Sequence, residues 1–76
     1  MSSTNSAHEV YAPPRLLRLP EVIRSTGLAR SSIYDLIREG RFPAPVPLTA
    51  TARAWRSDEI ETWISERCAE RDGAQQ

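Results

Sequence analysis

Residues 19–40 read LPEVIRSTGLARSSIYDLIREG, and the two glycines in that stretch, Gly27 and Gly40, divide it into two short helices. Pro20 suits a first helical position, where its missing N–H would lack an intrahelical partner in any case. Glu21 complements the positive end of the helix dipole. Val22 and Ile23 then face inward, so the first helix is predicted from residue 20 to residue 25 or 26. Gly27 supplies the left-handed residue that ends it. The second helix is predicted over 30–39, because Ile33, Leu36 and Ile37 recur at the i, i+3, i+4 spacing of one apolar face. Gly40 closes it as Gly27 closed the first. Only Gly27, Leu28 and Ala29 separate the two. A short glycine-containing turn between two short helices is the pattern of a helix-turn-helix.

Downstream, residues 42–48 read FPAPVPL. Alternating Pro43, Pro45 and Pro47 remove three donors from one edge of an extended chain and leave the edge carrying Ala44, Val46 and Leu48 able to pair. The predicted partner is Ala54, Trp55 and Arg56, joined through a loop at 49–53, which makes a β-hairpin wing. A last helix is expected to begin after Ser57, a good N-cap residue. Asp58, Glu59 and Glu61 suit its first turn, and Arg67 and Arg71 suit its far end. Ile60, Trp63, Ile64 and Cys68 fall on one face. Trp63 has two readings, core residue or dimer contact, and Cys68 reads as an inert, partly buried thiol. Upstream, 15–18 is a short apolar entry segment with room for a brief extended stretch. The expected organisation is a disordered leader at 1–14, one domain at 15–70, mainly α with a small β-hairpin, and a frayed tail at 71–76.

A chain of 76 residues buries only about 60% of its unfolded surface, so an exposed binding surface is easier to build than an enclosed active site. Its 39% hydrophobic and 26% charged residues place it with folded rather than disordered chains. No apolar run reaches membrane-spanning length and no secretory signal is read at the start, so the expected compartment is the cytoplasm. The single cysteine, Cys68, and single histidine, His8, exclude an internal disulfide, a zinc cluster and a Ser-His-Asp arrangement. Asp58, Glu59 and Glu61 are explained by helix capping, and no glycine-rich phosphate loop is present. Neither catalysis, a cofactor, a metal nor a small-molecule ligand is expected.

The formal net charge is zero, but it is unevenly spread. Residues 15–56 hold eight arginines against three acids, and residues 57–76 hold two arginines against six acids. A basic lobe is the footprint of a phosphate-binding surface, which makes double-stranded DNA the expected partner. With Ile33, Leu36 and Ile37 packed inward, the second helix leaves Arg30, Ser31, Tyr34, Asp35 and Arg38 outward, with Ser32 at the boundary. The N-terminal half of a recognition helix meets base edges, so Arg30 and the serines are candidates for base or phosphate contact. Tyr34 and Arg38 are candidates for the backbone. Arg53, near the wing tip, reads either as a minor-groove or phosphate contact or as a solubilising charge. Arg15, Arg18 and Arg41 flank the motif as weaker phosphate candidates.

The segments LPEV (19–22), TGL (26–28), RSSIY with LI (30–34, 36 and 37) and FP-P (42, 43 and 45), then a Trp ahead of an acidic capped helix, resemble in order and spacing the AlpA family of prophage-type regulators. The resemblance covers about 15–67. It implies a MerR-like winged helix, similar also to excisionases, that binds DNA as a transcriptional regulator encoded by prophages and integrative elements, with Arg30, Ser31, Ser32 and Tyr34 on the recognition helix. Against the family's usual pattern, Ala29 stands where a capping residue is common and Asp35 where a basic residue is frequent. Two other functions fit the same residues: an excisionase-like recombination directionality factor, and a protein-interaction adaptor without DNA binding. So small a reader is expected to self-associate or to act with a partner such as an integrase.

Overall fold

The computed structural model describes residues 13–74. The reading of a leader therefore lies, apart from Pro13 and Pro14, outside the described residues, as do His8, Gln75 and Gln76. The elements in order are β1 (Leu16–Leu17), α1 (Leu19–Thr26), α2 (Arg30–Arg38), β2 (Val46–Pro47), β3 (Arg53–Arg56) and α3 (Ser57–Ala74). This is a mainly helical winged helix-turn-helix with one small sheet.

The turn between α1 and α2 is built by three adjacent residues. Gly27 sits at φ 75°, a conformation that costs a residue with a Cβ about 1–2 kcal/mol, and its N–H donates to the Ile23 carbonyl at 2.8 Å. The Thr26 hydroxyl donates to the Val22 carbonyl and accepts from the Leu28 N–H. The end of α2 is tighter still. Gly40, at φ 74°, donates to Ile37, and Arg41 donates back to Leu36 at 2.8 Å, a pairing that satisfies two of the helix's last carbonyls.

The sheet differs from the two-stranded wing expected. It has three strands in the order β1-β3-β2, all antiparallel. Leu16 and Leu17 pair with Arg56 and Trp55, while Val46 and Pro47 pair with Ala54 and Arg53. The entry segment is thus a strand of the core sheet. The FPAPVPL stretch, by contrast, is strand only at Val46–Pro47. Phe42 is buried instead, and the Pro43 carbonyl accepts from the Trp55 indole N–H at 3.0 Å. The segment lines the core and enters the ladder only at its end. Residues 48–52 form the wing turn, fastened by the Leu48 N–H donating to Ala52 and by the Thr49 hydroxyl accepting from the Ala52 N–H. Arg53 belongs to the strand, one step in from the tip.

The core takes one large residue from nearly every element: Leu17, Val22, Ile33, Phe42, Trp55 and Ile60. Ala54 and Trp55 are both buried although successive strand residues face opposite sides, because β3 is the middle strand and is covered by both α1 and α3. Ser57 does not cap α3. Its hydroxyl accepts from the Arg15 N–H and its own N–H donates to the Arg15 carbonyl, each at 2.7 Å. It fastens the chain's entry to the start of the last helix. Trp63 is half-buried, edge-on to Phe42 at 4.9 Å, with its indole N–H on the Arg41 carbonyl. Cys68 is exposed rather than partly buried, and α3 stays helical through Ala74, into the stretch read as a tail.

Candidate nucleic-acid interface

The first turn of α2, α1 and the base of the wing meet around one open cleft of about 620 Å³. Arg18 and Arg24 line it from the α1 side, Arg30 from the start of α2, and Arg53 from β3. Its apolar lining comes from Leu19, Pro20, Ile23, Tyr34 and Trp55, with Thr51 of the wing turn at the margin. No carboxylate lines it.

The predicted residues divide across this surface. Arg30, Tyr34 and Arg53 share the cleft. Ser31 is exposed and Ser32 half-buried on the same helical turn. Tyr34 is less outward than the helical pattern suggested: it is half-buried, with its ring edge-on to Trp55 at 6.5 Å. Trp55, rising from β3, underlies that side of α2. Asp35 and Arg38 lie outside the cleft, exposed, and form an ion pair with each other across one turn. Arg38 therefore presents a partly neutralised charge.

Arg24 was not singled out by the sequence reading, and Arg18 ranked only as a flanking charge. The usable signal was the spacing Pro20, Ile23, Arg24, a single stripe of α1. That stripe faces the cleft. The other flanking arginines go elsewhere. Arg41 pairs with Glu39, and Arg15 lines a separate hollow that also holds Glu21 and Glu61.

The arginines fall into two classes. Arg38, Arg41, Arg56, Arg67 and Arg71 each pair with a carboxylate. Arg15, Arg18, Arg24, Arg30 and Arg53 form no ion pair among the described residues, and the last four line the cleft. The Arg56–Asp58 pair is the tightest in its electrostatic effect: two hydrogen bonds, of 3.0 and 2.7 Å, hold the Asp58 carboxyl below its usual range and raise the Arg56 guanidinium. It stands at the start of α3, where acids predominate. A hollow there, bounded by Pro43, Ala44 and Trp63, carries Asp58, Glu59 and Glu66 and shares no residue with the arginine cleft. Among the described residues no cluster suited to a metal ion occurs, and no helix is long and apolar enough to cross a membrane.

The family described as the prophage CP4-57 regulatory protein (AlpA) matches residues 15–68, the whole of the winged unit up to the middle of α3. The chain is 47% identical over 57 residues to ORF88 of enterobacteria phage P4, an alignment covering 75% of this chain and 65% of that protein. It is 40% identical over 60 residues to the DNA-binding transcriptional activator AlpA of Escherichia coli (strain K12), covering 71% of this chain and 86% of that one. No solved structure matches the chain.

Proposed function

Since the chain belongs to the AlpA family of phage regulatory proteins, we propose that it is a DNA-binding transcriptional regulator of prophage or integrative-element type. In this reading α2 enters the major groove, with Arg30, Ser31 and Ser32 toward base edges, and the wing lies on the backbone or in the neighbouring minor groove. Arg38, tied to Asp35, contributes less to phosphate than its position suggests. Asp35 in turn is an acceptor suited to a cytosine amino group.

The observation that carries the reading is the meeting of Arg30, on the first turn of the second helix, and Arg53, at the base of the wing, on one carboxylate-free cleft. The similarity to a protein named as a DNA-binding activator points the same way.

The test is a fluorescence-polarisation titration against duplexes selected from a random pool, at two salt concentrations. Four phosphate contacts predict a loss of about 10²-fold in affinity between roughly 50 and 200 mM salt. Arg30→Ala is expected to cost about 1–3 kcal/mol and to relax base preference at one position. Affinity indifferent to salt, or an Arg30→Ala protein that binds the selected duplex as well as its parent, overturns the assignment.

A further inference from the structure

We propose that one sugar-phosphate strand of the duplex runs through the arginine cleft, and that Arg18 and Arg24, outside the recognition helix, hold its phosphates. This rests on the duplex-binding reading above and adds to it a path for the backbone and two binding residues.

The argument begins with the shape of DNA. Adjacent major and minor grooves, about 12 and 6 Å wide, are divided by one phosphate strand. A protein that places a helix in one and a wing in the other must straddle that strand. The space between the two elements is then where the strand lies. In this chain that space is the cleft: Arg30 and Tyr34 of α2 stand on one side, Thr51 and Arg53 of the wing on the other, and Arg24 of α1 completes it with Arg18, just ahead of that helix.

The charges agree with the shape. Five of the other arginines are matched to carboxylates; these four form no ion pair among the described residues, and neither does the sixth, Arg15, which lies instead in the hollow that holds Glu21 and Glu61. Four guanidiniums facing a common hollow repel one another, and each offers donors in a planar fork that suits a phosphate's oxygens. Arg24 also borders the hollow that holds Glu21 and Glu61, yet it pairs with neither. The apolar lining has a use as well. Pro20, Ile23 and the Tyr34 ring give deoxyribose carbons a surface to rest on between phosphates.

Arg18→Gln with Arg24→Gln is the discriminating variant. Both residues are exposed; Arg18 precedes α1, and its backbone N–H, which the variant keeps, is what donates to Glu21, while at Arg24 Gln keeps nearly the helix propensity of Arg, so the fold, checked by circular dichroism, is retained. Each phosphate contact removed lowers the slope of log affinity against log salt by about 0.9. The double variant is therefore expected to lose about 1.8 from the slope while keeping its preferred sequence, and Arg18→Lys with Arg24→Lys is expected to keep the slope. Single methylphosphonates placed along one strand should weaken the parent protein at a few successive positions, and the Gln variant no longer at those same positions. An unchanged slope in a variant that still binds overturns the cleft path and leaves the regulator reading standing. So does a variant that changes base preference but not slope. Displacement of duplex by millimolar inorganic phosphate at matched ionic strength would show a pocket for free anions rather than a strand, and also overturns it. A parent protein that binds no duplex at any salt removes both proposals together.

Discussion

Ala29 begins α2 with an extended backbone, φ −73° and ψ 158°, and offers no side-chain oxygen to the free N–H groups of the first turn. The geometry of a cap is present and the chemistry is missing. Ala29→Ser is therefore expected to stabilise the protein by about 1 kcal/mol, since its hydroxyl can accept from the Ser31 or Ser32 N–H. A urea-unfolding midpoint that stays where it was would show that the first turn has another partner. Single residues were legible in the sequence where the cause was local. Gly27 and Gly40 both adopt the left-handed conformation expected of a helix end. Tyr34 was not legible in the same way. The spacing of Ile33, Leu36 and Ile37 turns it outward, but the Trp55 ring, 21 positions later in the chain, comes to lie against it. A helical pattern records which neighbours share a helix and nothing about what docks beside it.

Among the elements, β1 and the join between β3 and α3 were the least visible beforehand. Two residues make a strand only because β3 lies next to them, and that partner is about forty positions away. The reciprocal hydrogen bonds between Arg15 and Ser57 tie the two regions together. Ser57→Ala removes one of them, and since Ser57 is buried the expected loss is about 1 kcal/mol. The local sign is faster hydrogen exchange at the Arg15 amide. Unaltered exchange there would mean that the amide is protected by something other than the hydroxyl. The proline-rich segment misled for the opposite reason. Its alternation does leave one edge able to pair, and the Leu48 N–H does donate across to Ala52. But the burial of Phe42 and the use of the Pro43 carbonyl by Trp55 hold the first half in the core, and side-chain packing decided what backbone pattern could not. The two helices and the place of the wing, both set by local signals, were read correctly; the cleft that brings Arg30 and Arg53 together was not visible in the sequence, since it needs α1, α2 and β3 packed together.

For the molecule as a whole, the telling number is a net charge of zero made from an arginine-rich winged unit and an acid-rich last helix. With an isoelectric point near 6.6, copies at neutral pH have no net repulsion to keep them apart, while opposite faces attract over about 10 Å at 0.1 M salt. Light scattering at low ionic strength near that pH is expected to show weak self-association that disperses by about 200 mM salt, beyond the reach of the screened attraction. Monodisperse copies at low salt would mean that the two charged regions are too far apart or too well neutralised to engage. The same acids, kept off the cleft, give the proposed docking an orienting effect: phosphate repels α3 as it attracts the arginines, which favours approach by the cleft side. The crowding of unmatched guanidiniums reaches further than recognition. A duplex held in the proposed cleft favours the folded chain over the unfolded one by mass action, so it also acts as a folding ligand. On the proposed reading, the resistance of the folded chain to unfolding rises with the concentration of duplex that it binds.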